Sequence, residues 1–322
     1  ATSGHCRRVP VLTMMLAEAV HRTTEGPFAD FRMTDADRYE LEVAGWLHDC
    51  GKITTPEYVI DKATKLQTIF DRIQLVDTRF EVLRRDAEIA MLRRRLAELE
   101  GERQNSDPLY EQQCRVLDEE REFLRRANQG GEFMSPADQD RVRTIGQRRW
   151  DGPSGHSEPL LSDEEISNLC IPKGTLTPAE RQIINDHIVA TNAMLEKLPF
   201  PKHLRNVPEY AGGHHERVDG RGYPQGLTGD EMSVQARGMA IADVFEALTA
   251  RDRPYKPGKK LSETLAILAQ MSETGHIDPE LFRVFIERRV YLEYARAHLE
   301  PEQIDEVDIN ALLKGTKNNR KI

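Results

Sequence analysis

Two adjacent histidines, His214 and His215, followed by Glu216 and Asp219, mark the stretch of this chain richest in chemistry. Residues 207–227 read VPEYAGGHHERVDGRGYPQGL, with a glycine-rich turn through Gly220, Gly222, Tyr223 and Pro224. Neutral imidazole nitrogens and carboxylates are the usual ligands of catalytic transition metals. Glycines permit backbone angles that other residues resist, so the turn can wrap closely round a site. A second cluster, Leu47-His48-Asp49-Cys50-Gly51-Lys52, stands far upstream, and Asp243 stands downstream. Some members admit plainer roles: a His-Asp pair at a helix end is common, and His187 on an apolar helix face also reads as a satisfied core histidine. Asp243 is harder to place that way. A carboxylate among Met239, Ile241, Val244, Phe245 and Leu248 is costly to bury unpaired, and a metal ion offsets that cost. The joint pattern points to metal chemistry.

Helices must position these groups. Val9, Leu12, Leu16, Ala19 and Val20 share one face of a helix over residues 8–20, with His5 one turn before it. Thr34 reads as an N-cap with Asp37 at N3. The helix it opens is expected to carry Tyr39, Val43, Trp46 and Leu47 inward, to deliver His48-Asp49 at its end, and to close at Gly51. Ser162 with Glu165, and Thr177 with Glu180, are two further helix starts. The second places Ile183, Ile184, His187, Ile188 and Met194 on one side. Residues 237–250 form an apolar helix around Asp243, and Asp278-Pro279 starts another. Strand alternation is confined to very short runs, so the fold class is all-α.

Between the two halves lies a different segment. Ile69, Ile73, Val76, Phe80, Leu83, Ala87 and Ala90 alternate spacings of four and three, a heptad seam that shifts at Met91, Leu92, Leu96 and Leu99. Asn105-Ser106-Asp107-Pro108 breaks it, and a second charged helix runs over residues 110–127. The pattern predicts a helical hairpin, an antiparallel coiled coil projecting from the body. Residues 129–159 read as loop with one short helix.

The chain has 322 residues, 39% hydrophobic and 31% charged, with a net charge of −9. That balance argues against general nucleic-acid binding but leaves room for a local basic pocket that takes a phosphate. Four cysteines, at 6, 50, 114 and 170, show no CxxC spacing, which indicates a reducing, cytoplasmic compartment. No apolar run of about 18 residues appears, so no membrane contact by this segment is expected. The opening ATSGH lacks a methionine, which suggests excision from a longer protein, membrane-bound or not, carrying an upstream sensory or receiver domain.

The chain resembles the HD-GYP phosphodiesterases, a branch of the HD-superfamily metal-dependent phosphohydrolases. The likeness lies in His48-Asp49-x-Gly51-Lys52, in His214-His215-Glu216-x-x-Asp219-Gly220-x-Gly222-Tyr223-Pro224, and in Ala242-Asp243-Val244-Phe245-Glu246-Ala247-Leu248-Thr249, ending at Arg253-Pro254-Tyr255-Lys256. It covers residues 4–62 and 160–300. The resemblance implies an HD-domain helical bundle whose first part is residues 1–64 and whose second is 162–300. Residues 65–161 are then an insertion of hairpin and loop, and 301–322 a polar tail.

By position, the resemblance implies that His5, His48, Asp49 and Asp243 hold one metal, with Asp49 bridging, and that His187, His214 and His215 hold a second. Three-metal members use an upstream Glu; nothing comparable precedes His5, so two divalent ions, iron or manganese, are expected. Two such ions can share a bridging hydroxide and clamp a phosphodiester. Asp49 and Lys52 are the expected catalytic residues. Lys52, Arg253 and Lys256 are expected to meet phosphate, with Tyr223 meeting a guanine.

The expected reaction is hydrolysis of cyclic di-GMP to pGpG or GMP. Alternatives are cyclic GMP-AMP or another nucleotide as substrate, or a catalytically weak cyclic-dinucleotide sensor signalling through the coiled coil. The hairpin is the expected surface for a homodimer.

Overall fold

The computed structural model describes residues 2–98, 108–130, 133–152, 155–251 and 258–314. Its helices, in chain order, are α1 (Thr2–His21), α2 (Asp35–Leu47), α3 (Glu57–Ile60), α4 (Ile73–Ala97), α5 (Pro108–Asn128), α6 (Pro136–Gly146), α7 (Asp163–Leu169), α8 (Pro178–Asn185), α9 (His187–Leu195), α10 (Val207–Gly212), α11 (Val234–Thr249), α12 (Leu261–Glu273), α13 (Pro279–Glu287), α14 (Val290–His298) and α15 (Ile309–Lys314). Among the described residues, regular strands are limited to β1 (Arg149–Asp151) and β2 (Ser157–Pro159), paired antiparallel with Trp150 opposite Glu158. The fold is all-α.

The chain divides into two compact units, residues 1–55 with 184–322, and residues 56–183. The second unit reaches further on both sides than the expected insertion at 65–161. Polar ties within it account for the difference: Lys62 Nζ lies 2.8 Å from both Glu180 carboxylate oxygens, and Arg79 grips Glu165 at 2.7 and 3.0 Å.

The first unit is built on α1. Val9, Leu12, Leu16 and Val20 are fully buried against Met239, Ala242 and Phe245 of α11 and against Leu281 and Phe285 of α13. The helix begins earlier than the sequence indicates, so His5 lies inside it, one turn before Val9 on the same face. Thr34 and Asp37 form the expected capping box of α2. The buried face of that helix is only partly the expected one: Val43 and Leu47 pack against the core and Leu41, Ala44 and Gly45 are buried, but Tyr39 and Trp46 are half exposed. The reason is close packing. A Cβ on Gly45 would lie 3.0 Å from Pro10 Cα, so the contact with α1 takes small residues and turns the aromatics outward.

The second unit has its own core, of Val76, Phe80, Leu117, Phe123, Leu124, Val142, Ile145, Leu160 and Leu161. Helices α4 and α5 form an antiparallel hairpin. Arg121 and Arg125 pair with Asp77 at its base, and Arg84 pairs with Asp118 further out. Two members of the expected seam fall outside it. Ile69 precedes α4 and is almost fully exposed, and Ala90 is exposed while Met91 beside it is buried. The tract expected as loop with one short helix contains that helix, the eleven-residue α6 capped by Ser135, and in addition the β1–β2 pair.

Candidate metal centre

The first unit brings together His5, His48, Asp49, His187, His214, His215 and Asp243. His5 comes from α1, His48 caps α2, and Asp49 opens the short 3-10 helix Cys50–Thr54. His187 begins α9, His214 and His215 follow α10, and Asp243 sits in α11. Three overlapping ligand groups result: His5 with His48 and Asp243; His48 with Asp49 and His214; and His187 with His214 and His215.

Asp49 stands between the clusters and gives one oxygen to each. Its Oδ2 lies 3.4 Å from the Nε2 atoms of His5 and His48. Its Oδ1 lies 3.2 Å from His187 Nε2 and 4.0 Å from His214 Nε2. On the first side His5 Nε2 also lies 2.9 Å from Asp243 Oδ1. On the other, His215 Nε2 and His187 Nε2 are 3.3 Å apart.

The histidine rings are aimed by their other nitrogen. His48 Nδ1 donates to the Gly45 carbonyl at 2.7 Å, His214 Nδ1 to the Ala211 carbonyl at 2.6 Å, and His187 Nδ1 to the Ile184 carbonyl. A carbonyl only accepts, so each Nδ1 carries the proton and each Nε2 presents a lone pair to the centre. His5 Nδ1 is held by the buried carboxylate of Glu246, which Arg8 Nε anchors at 2.6 Å. Such outer partners fix the tautomer and orientation of metal-ligating histidines.

His48 Nε2, Asp49 Oδ1 and His214 Nε2 are buried without a hydrogen-bond partner. Orphaned acceptors at one point are costly unless a cation satisfies them. Their protonation states agree. Burial pushes His214 well below the usual imidazole range and brings His215 down to about 4, so both are neutral. Burial works against ionisation of Asp49 and Asp243, but Asp49, with His187 and His48 close by and the Lys52 ammonium 2.6 Å away, and Asp243, hydrogen-bonded by His5, are both held below the usual range. Burial also disfavours a charged His5, yet Asp243 and Glu246 outweigh it and raise its pKa to about 9. The proton on His5 thus supplies positive charge where a metal ion would. The donor set fits divalent metal ions. Cys6 and Cys50 flank the centre, but burial raises both thiols, Cys6 to about 11, so neither offers a thiolate.

Gly51 serves packing rather than the helix stop expected of it. Its N–H donates to Thr191 Oγ1 at 3.0 Å, which fastens the 3-10 helix to α9. Lys52 Nζ lies 2.6 Å from Asp49 Oδ2. The Tyr223 ring stacks on His215 with centroids 5.0 Å apart and 19° between planes. Buried Glu216 shapes that loop by accepting the N–H groups of Gln225 at 2.7 Å and Leu227 at 3.0 Å. Arg253 and Lys256 lie outside the described residues.

Sequence reasoning gave no role to Glu216, Glu246, Arg8 or Thr191. Glu246 carried a readable signal: it follows Asp243 by three residues in an apolar helix, which puts both carboxylates on one face. Arg8 is marked only by the His5-x-x-Arg8-Val9 spacing, which fits the opening helix of the family the chain resembles, and nothing in the sequence marks Thr191.

Two family models, each described as an HD domain, match residues 2–127 and 163–281. The chain belongs to the HD-domain family and is of its HD-GYP type. This HD-domain chain is 40% identical over 119 residues to the 3'3'-cGAMP-specific phosphodiesterase 3 of Vibrio cholerae, a match covering 36% of the chain and 25% of that protein. It is 38% identical over 141 residues to a probable cyclic di-GMP phosphodiesterase of the same organism, covering 42% and 32%. A cyclic di-GMP phosphodiesterase of Thermotoga maritima is 35% identical over 118 residues, covering 37% and 31%. The matched region thus spans only about a quarter to a third of these relatives. HD domains are metal-dependent, and the His/Asp groups of this chain are candidate ligands for such metals. No helix among the described residues is long and apolar enough to cross a membrane.

Proposed function

We propose that this HD-domain chain is a phosphodiesterase that hydrolyses cyclic di-GMP to linear pGpG or GMP. The observation that carries the reading is the placement of Asp49, one oxygen toward each histidine cluster, beside the orphaned acceptors of His48 and His214. In this reading His5, His48, Asp49 and Asp243 hold one divalent ion and His187, His214 and His215 a second, iron or manganese, with Asp49 shared. Two such ions supply an activated water at neutral pH and Lewis-acid stabilisation of the phosphate oxygens.

The protein's own groups do the rest. Glu246 and the carbonyls of Gly45, Ile184 and Ala211 keep the histidine lone pairs inward. Lys52 steadies Asp49 and, with its side chain about a quarter exposed, is placed to meet a phosphodiester oxygen as a point charge. Tyr223, stacked on His215, offers a ring edge and hydroxyl to a guanine. Arg253 and Lys256 are assigned to phosphate by their motif alone.

A second substrate reading, cyclic GMP-AMP, has specific support in the relative named as 3'3'-cGAMP-specific. Both substrates share a guanine and two phosphodiesters, so the same centre serves either. The proposal includes a catalytic module in two parts, residues 1–64 and 162–300, around the insertion. It also includes a homodimer through the hairpin, an upstream regulatory domain, and a cytoplasmic setting, which suits four free thiols.

Chromatographic product analysis tests it. Protein loaded anaerobically with Fe(II), or with Mn(II), is given each dinucleotide, beside a His48→Ala/Asp49→Ala control. Linear product from the parent alone supports the reading. Intact substrates in metal-replete protein overturn it in favour of a sensor.

A further inference from the structure

Helix α4 carries two apolar stripes, and the hairpin uses one. Val76, Phe80 and Met91 are buried on the side facing α5. Leu75, Val82, Ile89 and Leu96 recur every seven residues on the opposite side, with Leu92 three residues after Ile89. At 100° per residue these positions fall close to a half-turn from the buried seam. Leu75 and Ile89 are 44% exposed, Leu92 is 47% and Leu96 is 67%. A sustained heptad stripe on the outer face of a helix is the pattern of a coiled-coil contact.

We propose that this outer face of α4 is where a second copy of the chain docks, antiparallel, about a two-fold axis passing between residues 90 and 91. The inference rests on the homodimer reading above and specifies its face and register.

Charge selects this arrangement. With the axis between residues 90 and 91, Ile89 of each copy meets Leu92 of the other and Leu96 packs along the stem of Arg85, so the contact is made by residues 84–97 and leaves Leu75 and Val82 outside it. The flanks then pair Glu88 with Arg95 of the second copy and Asp86 with Arg93 of the second copy, each twice by symmetry. All four residues border the stripe in the sequence, Glu88 and Arg95 on one side and Asp86 and Arg93 on the other. The alternatives fail. Moving the axis to residue 87 sets Asp86 against Asp86 and Glu88 against Glu88 of the second copy. A parallel pair keeps one attractive contact, Glu88 with Arg93, but stacks Arg85 on Arg85 inside the apolar seam and brings Asp86 to Glu81, which Arg121 already holds. Like charges at such positions oppose pairing and so set orientation.

The test is sedimentation equilibrium of the full chain across a concentration series. The parent is expected to approach twice the chain mass of 36.8 kDa. Ile89→Asp/Leu92→Asp leaves the inner seam intact and is expected to lower the association constant by about a hundredfold. Glu88→Arg, which converts two attractive pairs to repulsive ones, is expected to lower it roughly tenfold, and Glu88→Arg/Arg95→Glu to restore it. A parent that stays monomeric overturns the proposal and the homodimer reading with it. A dimer indifferent to Ile89→Asp/Leu92→Asp overturns this face alone. A double reversal that fails to restore association overturns the antiparallel register. Circular dichroism of each variant, expected to match the parent, separates lost docking from a melted hairpin. Turnover of the metal-loaded monomeric variants reports separately on the catalytic reading.

Discussion

Gly51 approaches α9 so closely that a Cβ in its place would lie 2.0 Å from the carbonyl oxygen of His187. The two residues are joined by more than proximity. The Gly51 N–H is held by Thr191, one turn along the helix that His187 begins, and the same hydroxyl lies 3.3 Å from the His48 carbonyl. The spacing between the two histidine clusters is therefore set by main-chain contact, fastened by the Thr191 hydroxyl.

Gly51→Ala follows directly. The clashing atoms are main-chain or nearly so, and the added methyl can be relieved only by separating the 3-10 helix from α9. Overpacking of this kind costs about 1–3 kcal/mol. Thermal unfolding should show the loss. Calorimetric titration with Mn(II) should show weakened binding even below the melting temperature, because Asp49 moves away from His187. A variant with unchanged melting and unchanged titration would contradict this account of Gly51.

Glu246 is predicted to act through His5. Glu246→Gln preserves shape but removes the charge that holds Nδ1–H and anchors Arg8. Loss of such an outer partner typically weakens metal binding by about 10–100-fold. Metal analysis after dialysis should show depletion at the His5 side, with occupancy of the His187 side retained. A uniform loss at both sides, or unfolding by circular dichroism, would point to general damage instead.

The second unit carries a pH-dependent tie. Burial opposes ionisation of Glu165, but two hydrogen bonds from Arg79 and one from the Ser162 N–H hold its carboxyl below the usual range. A carboxyl lowered in the folded state adds stability above its unfolded pKa, and that stability is lost as pH falls through the folded value. Glu165→Gln can still close the capping box with Ser162. The parent should therefore exceed this variant by about 2 kcal/mol at neutral pH, the scale of hydrogen bonds to a charged group. The difference should shrink steadily below the ordinary glutamate pKa in urea titrations. A gap that stays constant into acid would show that the charge is not its source.

What the sequence made legible follows the physics of each element. Caps at Thr34, Ser162 and Thr177 are local, four-residue arrangements, and all three form. The histidines and aspartates were legible because their residue types are hard to explain otherwise. The outward turn of Tyr39 and Trp46 in α2 was not, because periodicity weights them above Ala44 and Gly45, whereas close contact with Pro10 requires the small pair. Arg8 was hidden because its partner lies in α11, more than two hundred residues away. The β1–β2 pair was hidden because three-residue strands leave too little alternation to read.

Metal removal provides the last test, and its direction follows from the orphaned acceptors. In the metal-free protein His48 Nε2, Asp49 Oδ1 and His214 Nε2 remain unsatisfied, and two ionised carboxylates share a buried space. A ligand that binds only the folded chain stabilises it by about 4 kcal/mol at a thousandfold excess over its dissociation constant. Chelated protein should therefore melt lower than protein refilled with Mn(II), through the first unit, while the Arg79–Glu165 region unfolds as before. Asp49→Asn changes the expectation in a specific way. It removes the shared anionic oxygens and the charged partner of Lys52 without adding bulk, so the chelated variant should melt below the chelated parent, and refilling should restore little. If Asp49→Asn responded to Mn(II) as fully as the parent, Asp49 would not be the shared ligand.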